Sequence, residues 1–431
     1  MDIEQLRKVI EYQKHRFLEE SSLVEREILQ RTTNLIDSKE IIFITGIKRC
    51  GKSSLLKIIA KKLIENKKVK INNIGYINFE DPQLFDATLS DCEKIYEIFL
   101  ENCDILQKKY LFVDEIQYVT GWEKWLNKLY EFENVKIFVT GSNSSLLSSD
   151  ISSLLTGRNR KLDLYTFSFR EYLSLKNYMP KNFSLPEEIS KTRRMFKSYL
   201  EFGSFPEVIK QQDIELLKAY YSDIIYRDII GKHNIGKSRE LLELGKYLSS
   251  NIGQLASSEK LKKMLGLKSA VTVRNYLQLL EDAYLFYRCY LFDFSVKRQI
   301  YNPPKVYIAD TALSSAVTFH AHPNSGWMLE NIVFLELKRS GYEVYYWKSK
   351  NNKEVDFIVR DKNKIIKAIQ VCFSLEDLET RSRELTALKE VQFELKPKSF
   401  LIITNNEEGK EKIGNNEIKI IPIWEWLINE I

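Results

Sequence analysis

A chain of 431 residues is too long for a single core and fits two to four domains at ~100–200 residues each. With 44% apolar and 12% aromatic residues, 23 Tyr and 23 Phe among them, it is not a disordered protein. Its 65 Lys and Arg against 59 Asp and Glu leave a net charge of +6, which permits nucleic-acid binding without pointing to it. No run approaches the ~18 apolar residues of a membrane span, and the opening Met1-Asp-Ile-Glu-Gln-Leu-Arg-Lys carries mixed charge where a signal peptide needs an apolar core. The expectation is a soluble cytoplasmic protein with no membrane partner. The five cysteines (Cys50, Cys92, Cys103, Cys289, Cys372) form no C-x-x-C pair and read as reduced structural thiols. Of the four histidines only His320 and His322 are close; they could share a metal on a strand, but no third ligand is nearby, and a surface loop is the simpler reading.

In chain order, the first forty residues read as helix ending near Asp37-Ser38. Ile41-Ile42-Phe43-Ile44, bounded by Gly46, reads as a buried parallel strand, and residues 53–64 as the helix after it. Apolar runs recur at Gly75-Tyr76-Ile77-Asn78-Phe79, Tyr110-Leu111-Phe112-Val113 and Val135-Lys136-Ile137-Phe138-Val139-Thr140 with helical segments between, the alternation of a covered parallel sheet. Residues 170–250 are helical in pattern, including 195–200 and 214–230. Two short helices at 259–265 and 271–280, turned at Gly266 and followed by a strand-like 284–292, have the order of a winged helix-turn-helix. After Pro303-Pro304 the pattern predicts helix 328–339, strands 343–347, 355–359 and 365–373, helix 375–390, strand 399–404 and a last strand near 418–421: a further α/β unit.

Gly46-Ile47-Lys48-Arg49-Cys50-Gly51-Lys52-Ser53 fits G-x-x-x-x-G-K-[ST] at every position, between a strand and a helix start. Such a loop turns its backbone N–H groups around phosphate oxygens; Lys52 then reaches the β/γ phosphates, the Ser53 hydroxyl ligates Mg²⁺, and Ser54 extends the nucleotide-binding run. The strand 110–113 delivers Asp114 and Glu115 at its C-terminal end, where ligands of open α/β sheets collect. Asp114 is placed to hold Mg²⁺, and Glu115 to orient or deprotonate an attacking water. Past Thr140, Ser142 and Asn143 are either contacts for the γ-phosphate or the water, or small residues of a turn. Arg158 and Arg160 are either arginine fingers, in cis or from a neighbouring subunit, or surface cations.

Several segments together resemble the archaeal and bacterial AAA-type ATPases that carry a C-terminal domain of unknown function. They are the loop 44–53, Asp114-Glu115-Ile-Gln117-Tyr-Val-Thr-Gly121-Trp122-Glu, Thr140-Gly-Ser-Asn143, Leu155-Thr-Gly157-Arg158 and Phe167-Ser-Phe-Arg170-Glu171-Tyr-Leu. The resemblance runs through nearly the whole chain. It implies an α/β fold with a P-loop ATPase domain over 1–168, a helical lid over 169–238, a winged helix over 239–300, and a restriction-endonuclease-like domain of PD-(D/E)xK type over 301–431. It also gives Lys52, Ser53, Asp114 and Glu115 the ATPase roles already argued from spacing, with ATP and Mg²⁺ as cofactors.

A PD-(D/E)xK centre needs a helix Glu, a strand Asp and a (D/E)-x-K on the next strand to hold Mg²⁺ and polarise water. Here Glu330 lies on the helix, and Glu354 and Asp356 share one strand face, but the next strand offers Gln370-Val371-Cys372, with Gln for the acid and Cys for the Lys. The expectation is a catalytically dead domain; the alternative is that Lys367 or Lys338 substitutes. On the second helix of the helix-turn-helix, Arg274 and Asn275, with Lys268, Lys260, Lys262 and Lys263 nearby, make a thin DNA-reading face, and packing against its neighbours explains them as well. The sequence therefore points to an Mg²⁺-dependent ATPase acting on nucleic acid. The alternatives are a nucleotide-gated switch for a protein partner and, third, an ATP-dependent nuclease; a homo-oligomer would supply Arg158 in trans.

Overall fold

The computed structural model describes residues 1–19, 22–147, 153–233, 235–318, 326–414 and 416–429, so His320 and His322 lie outside the described residues. The chain forms two compact units, Met1–Leu164 and from Tyr165 onward. Among the described residues no helix is long and apolar enough to cross a membrane.

In the first unit five strands, β1 (Ile41–Thr45), β2 (Ile74–Asn78), β3 (Lys109–Asp114), β4 (Val135–Gly141) and β5 (Asn159–Asp163), form one sheet. The order is β2-β3-β4-β1-β5, and every pairing is parallel. Strands covered on both faces need apolar residues at every position, not every second one. Accordingly Ile41, Ile42, Phe43 and Ile44 are all fully buried. The edge strand β5 (Asn-Arg-Lys-Leu-Asp) buries only Leu162, which is why its sequence does not read as a strand.

The covering helices are α1 (Ile3–Leu18), α2 (Lys52–Lys67), α3 (Leu89–Glu101) and α4 (Trp122–Phe132). The expected forty-residue helix is shorter: α1 stops at Leu18, just after its buried face of Leu6, Val9, Ile10, Gln13 and Phe17 runs out, and among the described residues a five-residue helix at Leu29–Thr33 follows before β1. A Thr88/Asp91 capping box starts α3.

The second unit begins with helices α5 (Phe169–Leu175), α6 (Pro186–Phe202), α7 (Glu215–Asp223) and α8 (Ser238–Ser250). Helices α9 (Ser258–Met264) and α10 (Ala270–Asp282) follow, then strand β6 (Phe286–Leu291), the short helix α11 (Val296–Tyr301) and strand β7 (Lys305–Ile308). Strand β6 pairs antiparallel with β7, so the domain boundary expected at 300 falls inside a hairpin. The remaining elements are α12 (Thr311–Val317), α13 (Gly326–Arg339), β8 (Glu343–Lys348), β9 (Glu354–Asp361), β10 (Lys364–Val371), α14 (Leu378–Leu395), β11 (Ser399–Thr404), β12 (Gly409–Ile413), β13 (Asn416–Pro422) and α15 (Ile423–Asn429). All eight strands join one mixed sheet in the order β12-β13-β11-β10-β9-β8-β6-β7. The hairpin that follows the helix-turn-helix is thus the edge of the C-terminal sheet. Strand β12 and helix α15 are absent from the sequence reading: β12 (Gly-Lys-Glu-Lys-Ile) buries one residue, and α15 is too short to show a period.

Candidate functional site

The strand order places the C-terminal ends of β1, β4 and β3 side by side. Register pairs Thr45 with Gly141 and Val113 with Val139, so the loop after β1 lies beside the exit of β4, which lies beside Asp114. The Gly46–Ser53 loop is held from below. Gly46 packs so close that a Cβ would overlap the Leu164 carbonyl oxygen, and Gly51 takes a left-handed φ of 103° at the start of α2. The Cys50 thiol donates to that same carbonyl at 3.4 Å, and Arg26 Nη1 donates to Cys50 O at 2.9 Å. Ile47 is buried, Lys48 pairs with Glu80 at 2.7 Å, and Arg49 and Ser53 are exposed. Gly46→Ala is therefore expected to lower melting temperature and nucleotide affinity together, checked by thermal melts and a nucleotide titration.

Lys52 is buried, and its ammonium donates to Gly46 O at 3.2 Å and Ile47 O at 3.4 Å and lies 3.3 Å from Glu115 Oε1. Burial works against its charge, but Glu115 and Asp114 more than offset that and raise its pKa. Asp114 is fully buried and accepts hydrogen bonds from Tyr76 OH at 2.9 Å, from Thr140 Oγ1 and from Ser53. Burial, then the neighbouring Glu115, pushes its pKa up. Glu115 sits in the left-handed region at φ 54°, its N–H donating to Thr140 Oγ1 at 3.0 Å. Burial would raise its pKa, but Lys52 and the Gln117 amide, which donates to its carboxylate, hold it below the usual range.

Lys52, Ser53, Asp114 and Glu115 thus meet at one sheet edge. Ser142 is buried and accepts from Gln117 at 3.3 Å; Asn143 follows, half-buried, and Ser54 is half-buried on α2. Arg158 is elsewhere. Its side chain bonds Asn127 and lies 2.5 Å from Glu131, and its carbonyl accepts from Ile41 N at 2.8 Å, at the start of β1. Four steps of a strand, about 13 Å, separate that end from the phosphate loop. In this structure the Arg158 side chain therefore does not reach the phosphate loop. Arg160 lies on β5, 3.4 Å from Glu40.

Two supports had no sequence signal, Arg26 beneath the loop and Tyr76; Thr140, which bridges Asp114 and Glu115, stood in a segment of the family resemblance without a role. Phe17 of α1 stacks on the Tyr76 ring at 4.0 Å, so the N-terminal helix steadies the phenol that binds Asp114.

A second cluster lies in the other unit. Lys305 of β7 is buried and its Nζ lies 2.9 Å from Glu330, 2.7 Å from Glu354 and 3.2 Å from Asp356. Tyr307 OH donates to Glu330 at 2.6 Å. Burial raises Glu330 to about 7 against the pull of Lys305. The expected absence of a cation is corrected: the lysine comes from β7, at the edge of the sheet and three places from β9, not from position 372. Cys372 is a buried thiol pushed up to about 12 by burial. Neither proposed substitute reaches the centre. Lys367 is an odd number of positions from Gln370 on β10 and faces the other way, and Lys338 is two helical turns beyond Glu330.

On α10, Val273, Tyr276, Leu277 and Leu280 are buried, leaving Val271, Arg274, Asn275 and Gln278 on the outer face. Lys260, Lys263 and Lys268 are exposed nearby.

Comparison with known proteins agrees with this architecture. Residues 38–173 match the model of an AAA domain, and residues 193–323 and 325–426 match two domains of unknown function. An uncharacterized protein of Methanocaldococcus jannaschii is 34% identical over 91% of this chain and 89% of its own. Another uncharacterized protein, of Haemophilus influenzae, is 30% identical over 94% of this chain and 99% of its own. The chain belongs to the same family as these two proteins and carries an AAA domain over residues 38–173. Among solved structures, the RuvB Holliday junction branch migration motor of Thermotoga maritima aligns at 18% identity with a TM-score of 0.32, over 63% of this chain and 93% of that one. That likeness is too loose to bear on function.

Proposed function

We propose that this protein hydrolyses ATP with Mg²⁺ and uses the nucleotide cycle to act on nucleic acid. The reading rests on the meeting of Lys52, Ser53, Asp114 and Glu115 at the C-terminal edge of a parallel sheet. The loop Gly46–Ser54 cradles the phosphates and Lys52 supplies the charge on the β/γ oxygens. Ser53 and Asp114, an all-oxygen pair already in hydrogen-bond contact, suit a hard cation and would hold Mg²⁺. When bound, that ion offsets phosphate charge. Glu115, kept ionised beside Lys52, orients and deprotonates the attacking water. Asn143 contacts the γ-phosphate or the water, and Arg158 serves only if a second copy presents it.

Support for nucleic acid comes from the helix-turn-helix order of α9 and α10 and the hairpin after it, read as a winged helix. Arg274, Lys260, Lys263 and Lys268 are exposed there, and none of them lies within 4.0 Å of a carboxylate among the described residues. A specific observation favours a second reading, a nucleotide-gated switch for a protein partner. Phe294, Val296, Ile300 and Tyr301, around α11, are 66–82% exposed, an apolar strip that suits a protein surface.

Steady-state ATP hydrolysis with and without single- and double-stranded DNA, using Lys52→Ala as blank, separates the two. Stimulation that fades as salt rises is the expected result, with Lys268→Ala/Arg274→Ala lowering the salt slope by about 1 for each phosphate no longer neutralised. Hydrolysis indifferent to DNA would transfer the reading to the protein switch.

A further inference from the structure

The PD-(D/E)xK resemblance implies a divalent cation among Glu330, Glu354 and Asp356, and the side chains present do not fit one. An ammonium has three N–H donors, and Lys305 meets three carboxylates at 2.9, 2.7 and 3.2 Å, one for each. Two of these carboxylates carry a further bond. Asp356 Oδ2 accepts from Val371 N at 2.9 Å, and Glu330 Oε1 also accepts from Tyr307 OH. Gln370, in the place of the missing acid, turns its amide oxygen to Asp356 N at 2.8 Å and its NH₂ to Glu354 O and Glu384, so it brings no negative charge for a metal and its oxygen is already engaged. Among the described residues no group of three or more His, Cys, Asp and Glu is arranged to hold a metal ion.

We propose that Lys305 is the built-in cation of this centre: its ammonium takes the place of the divalent ion, so the C-terminal domain holds its acidic centre together without metal and does not cut phosphodiesters. The position of Lys305 in the chain gives this a mechanical meaning. It lies on β7, the second strand of the hairpin after the helix-turn-helix, whereas Glu330 lies on α13 and Glu354 and Asp356 on β9. One buried side chain therefore ties the hairpin to the helix and sheet of the C-terminal domain. The centre keeps an excess of carboxylate over ammonium, which repels a phosphate backbone when no divalent ion is present. Nucleic acid should consequently meet this unit on the exposed cations of α9 and α10, not here.

Mn²⁺ titration of the nucleotide-free full-length chain, followed by the EPR signal of free Mn²⁺, tests the assignment. Wild type and Asp356→Asn should take up Mn²⁺ identically, and neither should nick supercoiled DNA in Mg²⁺ or Mn²⁺. Uptake or cleavage by wild type that Asp356→Asn loses overturns the proposal. Lys305→Ala should gain an Mn²⁺ site that Lys305→Ala/Asp356→Asn lacks, and millimolar Mn²⁺ should raise its melting temperature by several degrees while leaving wild type unmoved. A folded Lys305→Ala that gains neither binding nor stability also overturns it. If Lys305→Ala fails to fold in any condition, the comparison of wild type with Asp356→Asn decides alone.

Discussion

Glu115→Gln is expected to lower the single-turnover rate of ATP hydrolysis by about 10²–10⁴-fold, the usual contribution of a positioned base, while nucleotide affinity is kept or rises severalfold. The geometry separates the two effects. Glu115 does not shape the phosphate loop; it stands across from it just past the end of β3, with its N–H fixed by Thr140 and its carboxylate shared between Lys52 and Gln117. Without nucleotide, Lys52 is neutralised by Glu115, and a phosphate must compete for that ammonium. The amide of Gln removes the competing charge yet keeps the shape and a hydrogen-bonding oxygen. Single-turnover hydrolysis and a fluorescent-nucleotide titration read the two quantities independently. Equal loss of binding in Glu115→Gln and Lys52→Ala would show that Glu115 belongs to the phosphate cradle and is not the base.

What could be read from the sequence follows from how far apart the cooperating residues lie. The phosphate loop is contiguous, and a strand ending in Asp114-Glu115 announces itself by its apolar run, so both were legible. The Phe167-Ser-Phe-Arg170-Glu171 segment was legible as a family mark, and the structure gives it a physical sense. Ser168 and Glu171 form the capping box of α5, and Arg170 donates to Leu427 O at 2.8 Å and pairs with Glu336. Residues that act from another element left no trace. Tyr76 reads as an ordinary strand residue, and Thr140 as part of a family segment with no role of its own, until the sheet order brings them to Asp114. Arg158 was drawn toward the site by its Thr-Gly-Arg setting; the polar β5, hydrogen-bonded beside β1, carries it to the opposite end. Lys305 was invisible for the same reason. A motif search expects the lysine two residues from an acid on one strand, whereas here β7, which pairs with neither β9 nor β10, delivers it.

Lys52→Ala is expected to do more than weaken phosphate binding by the ~10–100-fold worth of charge-assisted hydrogen bonds. It also leaves Glu115 buried beside Asp114 with its main counter-charge gone, and removing one partner of a buried pair costs about 3–5 kcal/mol. At roughly 2–4 °C per kcal/mol the first unit should melt on the order of 10 °C lower. The pH dependence fixes the cause. In wild type Glu115 has a depressed pKa, so its contribution is present above the unfolded carboxylate value of ~4.3 and is lost as pH falls through the lower folded value. Without Lys52, burial raises that pKa, and a raised carboxylate is harmless at low pH but costs stability as pH rises through its folded value. The melting deficit of Lys52→Ala against wild type should therefore be smaller near pH 5 than at pH 8 and widen between them, as read by melts across that range. Lys52→Ala/Glu115→Gln should recover most of the lost stability and abolish the widening, while nucleotide affinity stays low. A deficit that is flat with pH, or a double variant no more stable than Lys52→Ala, would mean that the Lys52–Glu115 pair carries no stability. The hydrogen bonds of Lys52 to the Gly46 and Ile47 carbonyls would then account for the whole effect.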